Sequence, residues 1–235
     1  MNRLITRYDE PKYSTEMAMS SAAFERFRFS FFEDEMSARD GLDTRALAEL
    51  EGEEVSRAED MLIGFLPDTR GVIGLGILRS RRAEPELAKF FEAEERGWRA
   101  AKAKGKANGE EFWSTHGLVY LAKALWRIRP DPRWRDAMIS VLGAAEDWQR
   151  QTAVEALCDV CDPVAVQALI KALGDTEPLV RYHAARGLLL IHGLPVDTRD
   201  PAHMMYRVMS KDAARRDGGK QDILAAIDGR PIGAP

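Results

Sequence analysis

The residues of this chain that could do chemistry are few. Its two cysteines form a Cys158-Asp-Val-Cys161 motif, a spacing found in redox pairs and in half of a zinc site. A structural zinc needs four ligands, the sequence has no second cysteine pair, and its histidines show no spacing such as HExxH. We therefore expect no metal, no redox centre and no cofactor. Cys158 lies in an apolar stretch and is expected to be a small buried residue.

Motifs of known catalytic chemistry are also missing from the sequence. It contains no Gly-rich phosphate loop, no GxSxG and no His-Glu dipeptide. We therefore expect no catalytic residues and a protein that is not an enzyme.

A basic stretch with interleaved tryptophans indicates a different activity, nucleic-acid binding. Cations beside aromatic rings can hold a phosphate backbone while bases stack on the rings. The pI near 5.7 and the net acidic first 60 residues argue against it. A solvated helix face, whose aliphatic stems cover the tryptophans, is the other interpretation. The cations are Arg96, Arg99, Lys102, Lys104, Lys106, Lys123, Arg127, Arg129, Arg133 and Arg135, and the tryptophans are Trp98, Trp113, Trp126 and Trp134.

These side chains must be positioned by helices, and residues 162–193 show how. Apolar residues recur there at helical spacing in two segments, each bounded by capping and breaking residues. The pattern predicts two antiparallel helices joined by a tight turn. The residues expected to start or end them are Asp162, Pro163, Gly174, Thr176, Pro178 and Gly193.

The same pattern occurs 31 residues earlier in the chain. In this register ten residues are identical, including the pairs Asp131/Asp162 and Arg150/Arg181. One helix pair cannot bury its apolar face alone, so successive pairs must stack. The sequence therefore predicts a repeat array, with looser units on either side of this register.

The Asp-Pro starts, the glycine turns and the WQR and LVR triplets that open the second helices resemble HEAT repeats, specifically the short phycobilisome-lyase-type HEAT-like repeats of bacteria. The resemblance implies an all-α fold, a right-handed α-solenoid of about four HEAT-like helix pairs with N- and C-terminal capping helices. It also implies that the second helices line a concave face, that Arg150 and Arg181 join side-chain ladders between repeats, and that the protein is a binding scaffold.

An enzyme is also compatible with this resemblance. HEAT-like alkylpurine DNA glycosylases use a concave face lined with aromatic and basic residues and a catalytic aspartate. No aspartate of this chain lies in a matching motif, so a DNA-binding protein or glycosylase remains the alternative to a scaffold.

Three segments follow from the pattern: an N-terminal tail and capping helix over 1–42, the solenoid over 43–194, and a C-terminal capping repeat and tail over 195–235. The N-terminal helix is expected to begin at Ser14 or Thr15, with a strand as the competing interpretation. Its phenylalanines either cover the first repeat or form an exposed binding edge. They are Phe24, Phe27, Phe29, Phe31 and Phe32.

Two further breaks in the pattern are expected. A polar, glycine-broken insertion occupies 102–111 between two helices. In the last segment, Asp200-Pro201 is expected to open a helix, Gly218-Gly219 to form a turn, and Ile223 to lie on a short final helix.

The candidate binding site lies on the second helices. The repeat alignment places Lys123, Glu155 and Arg186 at one position off the apolar stripe, and Gln151 and Tyr182 at another; Arg127 lies one turn beyond Lys123. Trp148 lies at the start of its helix, at the edge of the same surface. The repeat alignment matches it to Leu179, which also allows a buried role. We call these seven residues the second-helix face: Lys123, Arg127, Trp148, Gln151, Glu155, Tyr182 and Arg186.

The expected partner is another protein, as for an adaptor or a toxin-neutralising immunity protein. Nucleic acid is disfavoured by the overall charge. No membrane is expected, because no apolar run approaches the roughly 18 to 20 residues of a spanning helix. The N-terminus lacks the features of a secretory signal, so we expect a cytoplasmic protein.

Overall fold

A computed structural model describes residues 20–33, 41–103, 112–196 and 203–233, and in these ranges it contains twelve α-helices and no strand. The prediction of an all-α solenoid is confirmed. None of the helices in the described ranges has the length and apolarity needed to cross a bilayer. The helices are α1 Ala22–Arg28, α2 Thr44–Ala48, α3 Glu53–Ile63, α4 Thr69–Ile77, α5 Glu84–Ala103, α6 Phe112–Ile128, α7 Pro132–Val141, α8 Asp147–Leu157, α9 Pro163–Ala172, α10 Pro178–Ile191, α11 Met204–Val208 and α12 Ala213–Ile227.

Successive helices form the pairs α3/α4, α5/α6, α7/α8, α9/α10 and α11/α12. The second helices α4, α6, α8 and α10 pack side by side, whereas the backbones of the first helices α5, α7 and α9 lie farther from one another. The array is therefore narrower on the side of the second helices, which is the side expected to be concave.

Small residues make this close packing of second helices possible. A Cβ at Gly76 of α4 would lie 2.8 Å from the Cα of Ala124 on α6. A Cβ at Gly187 of α10 would overlap the Cys158 sulfur and lie 3.2 Å from the Cys158 Cβ. Neither approach could be made by a larger side chain without moving the helices apart.

The capping residues of the clearest pair are mostly those predicted. Asp162 accepts a hydrogen bond from the Ala165 N–H (2.9 Å), and Pro163 is the first residue of α9. Thr176, however, does not cap α10. Glu177 takes that place, because the Asp175 carboxylate accepts a bond from its N–H (2.8 Å) and moves the helix start by one residue.

The N-terminal segment is helical, as predicted, but it begins later. Ser21 caps α1 by accepting from the Phe24 N–H (3.1 Å), and its own N–H and hydroxyl donate to Glu54 (2.7 and 2.6 Å). The predicted start at Ser14 or Thr15 lies outside the described residues, and the Ser21 cap shows that α1 does not extend back to it.

The buried phenylalanines of this segment cover the first pair. Phe24, Phe27 and Phe31 are buried, and the Phe31 ring meets the Phe65 ring edge-on at 4.8 Å. Phe29 lies in the π-helical turn that follows α1 and is 55% exposed. The expectation of a terminal cap is therefore confirmed for these three residues; the Phe32 side chain is not among those described.

The prediction for the C-terminal segment is wrong in its details. Gly218 and Gly219 lie inside α12 and not in a turn, and the chain turns earlier, between α11 and α12. A Cβ at Gly219 would lie 2.6 Å from the Val208 nitrogen, so the glycines allow α12 to cross α11 closely. His203 caps α11, and the predicted start at Asp200-Pro201 lies outside the described residues. The predicted insertion also falls mostly outside them, between α5 and α6.

Candidate functional site

The second-helix face is built by α6, α8 and α10. On each helix two of its residues are four positions apart, and this spacing puts them on one side of the helix. The pairs are Lys123 with Arg127, Gln151 with Glu155, and Tyr182 with Arg186. Contacts between neighbouring helices then join these pairs into two polar clusters.

The first cluster joins α6 to the end of α8. The Lys123 ammonium lies 3.1 Å from one carboxylate oxygen of Asp159, and the Arg127 guanidinium donates to the same oxygen. Two cations therefore share one carboxylate. Asp159 was not predicted to take part; the only signal in the sequence was its position one turn beyond Glu155.

The second cluster joins α8 to α10. The Gln151 side-chain amide donates to the Glu155 carboxylate (2.9 Å), and the His183 Nε2 lies 3.1 Å from the same oxygen. Burial lowers the pKa of His183; the Glu155 charge opposes this shift and the Arg186 charge adds to it. At neutral pH the imidazole is therefore uncharged. His183, too, was not predicted as a site residue.

Tyr120 adds a phenol beside the second cluster. Burial raises its pKa, and the negative charge of Glu155 raises it further. The phenol is therefore protonated at neutral pH and cannot supply a negative charge to this face.

The last predicted residues differ in their surroundings. Arg186 is exposed and makes no hydrogen bond or ion pair with any residue of the described ranges. Tyr182 is half-buried, with its ring edge-on to that of His183 at 5.2 Å. Trp148 is half-buried in the first turn of α8. Its repeat equivalent Leu179 is exposed, so the match between the two positions does not support a buried role for Trp148.

Two arginines of the same helices have structural roles, as the resemblance implied. Arg150 binds both carboxylate oxygens of Asp175 (2.8 and 2.9 Å) and two backbone carbonyls at the end of α7. Arg181 is buried and donates to carbonyls on both sides, at Asp175 (2.7 Å) and Val208 (2.7 Å) among others. They tie each pair to the next, and most of their N–H donors are used in doing so.

The cysteine motif has the properties of a structural element. Cys158 lies at the edge of the core, and its thiol donates to the Val154 carbonyl (3.2 Å). Burial raises the pKa of Cys158 to about 12 and also raises that of Cys161, so both are thiols at neutral pH and poor nucleophiles. The described residues contain no cluster of three or more side chains suited to a metal ion.

Two tryptophans of the basic stretch are buried in the hydrophobic core. Trp98 is buried, and its indole N–H donates to the Ser140 hydroxyl (2.9 Å). Trp134 is buried with its ring edge-on to Phe91 at 4.8 Å. These rings are not available to stack on bases. Trp126 is half-buried, and the Trp113 side chain is not among those described.

Most cations of that stretch are paired with carboxylates. Arg129 binds Glu84 (2.6 Å), Arg133 binds Glu95 (3.1 Å) and Arg135 binds Asp162 (2.5 Å). Lys104 and Lys106 lie outside the described residues. The described part of the stretch therefore presents much less positive charge than its composition indicates.

Shallow grooves occur on the opposite side, on both flanks of the first helix α9. One of about 490 Å³ lies between α7 and α9, and one of about 520 Å³ lies between α9 and α12. Both are lined mainly by apolar side chains, among them Ile139 and Ile170. Their lining residues do not form a constellation suited to catalysis.

Comparison with known proteins agrees with this architecture. A family model of HEAT repeats matches residues 135–200, which include α8, α9 and α10. No curated protein matches the chain. The matched segment also contains most of α7, so it covers nearly all of the two pairs that share the 31-residue register. Residues 135–200 are therefore similar to HEAT repeats.

Proposed function

We propose that the protein is a non-catalytic scaffold that binds another protein through the second-helix face. The observation that carries the proposal is the pair Tyr182 and Arg186 on α10. Both lie on the narrow side of the array, and neither takes part in the arginine ladder that holds the repeats together. HEAT repeats form helical scaffolds that often serve protein interaction.

The composition of the face supports this use. The equivalent positions Lys123, Glu155 and Arg186 differ in charge from repeat to repeat, whereas core positions such as Ala153 and Ala184 are identical. The core positions of the repeats are thus the same, whereas the surface positions differ and give the face a composition of its own. Tyrosine, tryptophan and arginine, which this face contains, are the residues that most often dominate binding energy at protein interfaces.

We further propose that the repeats are of the phycobilisome-lyase type and that the protein acts in the bacterial cytoplasm, as an adaptor or an immunity-type protein. The WQR and LVR triplets that open α8 and α10 support the repeat type. Nucleic acid is the less favoured partner, because Trp98 and Trp134 are buried in the core.

The test begins with capture of the partner by the tagged protein from native cell extract, with and without nuclease. The double change Tyr182→Ala and Arg186→Ala should weaken binding about tenfold or more, since each truncation of a dominant residue costs on the order of 1 to 2 kcal/mol. Titration of the captured protein onto immobilised parent and variant measures the change.

Phe29→Ala and Lys102→Ala are the matched controls. Phe29 is an exposed aromatic residue and Lys102 an exposed cation, and neither lies on the second-helix face. If the double variant binds like the parent while either control abolishes binding, the site is the N-terminal edge or the insertion. Capture that disappears with nuclease would instead indicate a nucleic-acid partner.

A further inference from the structure

The charges of the second-helix face do not cancel. Lys123 and Arg127 bind the same oxygen of Asp159, so that one carboxylate serves two cations. Arg186 has no carboxylate partner among the described residues. Glu155 could have been that partner, but its carboxylate is held by Gln151 and His183.

The uncompensated cations lie around one point of the surface. At the α8–α10 crossing burial raises the pKa of the Cys158 thiol, the charges of Asp159 and Glu155 raise it further and those of Lys123 and Arg186 lower it, so all four charged groups lie near this point. The close approach that Gly187 permits brings α10, which carries Arg186, against α8 at this crossing. The face therefore gathers three cations from α6 and α10 around the two carboxylates Glu155 and Asp159, which leaves a small excess of positive charge.

We propose that this point binds carboxylate side chains of an acidic segment of the partner protein. The inference rests on the proposed function and deepens it by stating the chemistry of the partner. A free guanidinium presents a planar fork of N–H donors that fits a carboxylate with two parallel bonds. Lys123 and Arg127 add a second positive centre, because Asp159 neutralises only one of their two charges.

The neighbouring groups favour a carboxylate on a protein over a nucleic-acid phosphate. Tyr182 lies one turn before Arg186, so a side chain next to the bound carboxylate can pack on its ring. The acidic groups Glu155 and Asp159 also flank the cations. A continuous chain of phosphates would bring more negative charge against them than a segment with separate carboxylates would.

The experiment measures fluorescence anisotropy of three labelled peptides of equal length, in which Glu, Gln or Lys alternates with Ser around a central Leu. The Glu peptide should bind at least about tenfold more tightly than the Gln peptide, and more weakly as salt is raised. The Lys peptide should not bind. Equal binding of the Glu and Gln peptides would overturn the proposal.

Charge reversal locates the site. Arg186→Glu and Lys123→Glu should each lower affinity for the Glu peptide at least about tenfold. Lys171→Glu is the matched control, since Lys171 is an exposed cation on the first helix α9, on the other side of the array. If Lys171→Glu lowers the affinity and Arg186→Glu does not, the acidic segment binds elsewhere and the proposal is wrong.

A labelled single-stranded oligonucleotide of the same charge as the Glu peptide completes the test. Tighter binding of the oligonucleotide than of the peptide, lost in Arg186→Glu, would show that the cations serve nucleic acid. If the captured partner needs Tyr182 and Arg186 but the Glu peptide binds no better than the Gln peptide, the scaffold function stands and only the acidic chemistry fails. If the Glu peptide binds at Arg186 while the captured partner binds the Tyr182 and Arg186 double variant as tightly as the parent, the proposed function fails instead.

Discussion

The tight crossing of α8 and α10 can be tested by adding one methyl group, with Gly187→Ala. In an open helix interior this substitution stabilises by about 0.5 to 1 kcal/mol, because alanine loses less backbone entropy on folding. Here the new Cβ overlaps the Cys158 sulfur and lies 3.2 Å from the Cys158 Cβ and 3.5 Å from its Cα. Overpacking of this kind costs about 1 to 3 kcal/mol. We expect the overpacking cost to exceed the entropic gain, so that the free energy of unfolding falls by about 1 to 2 kcal/mol.

Removing the sulfur should relieve most of the collision. Cys158→Ala alone should destabilise the protein, because it removes a buried group. In combination with Gly187→Ala it should cost less than the sum of the two single changes, with a coupling of about 1 kcal/mol or more. Urea unfolding followed by circular dichroism measures all four free energies of unfolding.

Gly97→Ala is the control for backbone entropy. Gly97 lies inside α5, and a Cβ there would meet no atom within 4 Å. This variant should gain about 0.5 to 1 kcal/mol, which raises the melting temperature by about 1 to 4 °C. If Gly187→Ala gains as much as Gly97→Ala, α8 and α10 are not in the close contact described, and the reasoning is refuted.

Three other predictions concern stability. Ala184 is fully buried, so Ala184→Asp should cost several kcal/mol through an unpaired buried charge, about enough to prevent folding; a variant that melts close to the parent would show that the repeat register is wrong. Burial raises the pKa of Asp175, but the hydrogen bonds from Arg150 and from a backbone amide outweigh it, so the pKa in the folded protein lies below its usual value. The ionised Asp175 therefore stabilises the fold above about pH 4, and this contribution is lost as pH falls through the pKa of the folded state. Asp175→Asn should therefore lower the free energy of unfolding by about 1 to 3 kcal/mol at neutral pH and flatten its fall in acid, as acid titration of unfolding would measure. Because burial lowers the pKa of His183, the unfolded chain binds its proton first, and stability should fall as pH drops below about 6.5; an equal fall in His183→Gln, measured by melting temperature against pH, would contradict this.

The features that the sequence predicts well are those that recur in it. Asp162 caps its helix and Arg150 and Arg181 join repeats as expected, because identical residues at a fixed spacing must occupy equivalent places in a stack. The tryptophans are the instructive exception. Interleaved with cations they suggested a stacking platform, but Trp98 and Trp134 are buried, since their period also fits the core side of a helix.

The features that were missed depend on contacts between distant segments. Gly218 and Gly219 could serve equally a turn or a close helix crossing, and only the position of Val208 decides between them. Asp159 gains its role from Lys123 and Arg127 on another helix, and no local pattern reports such a contact. The residues of the candidate site could therefore be placed on helices from the sequence, but their ion pairs could not be derived from it.

The buried guanidinium of Arg181 determines how the end of the array comes apart. Its N–H groups bond to the carbonyls of Val208 (2.7 Å), Met209 (3.3 Å) and Ser210 (3.3 Å), all beyond the sequence boundary at residue 194. If α11 detached alone, Arg181 would lose these three hydrogen bonds, and the sides of α10 and α12 that α11 covers would be exposed to water. We therefore expect the last two helix pairs to unfold together, and a truncation at the sequence boundary to expose the apolar side of α10.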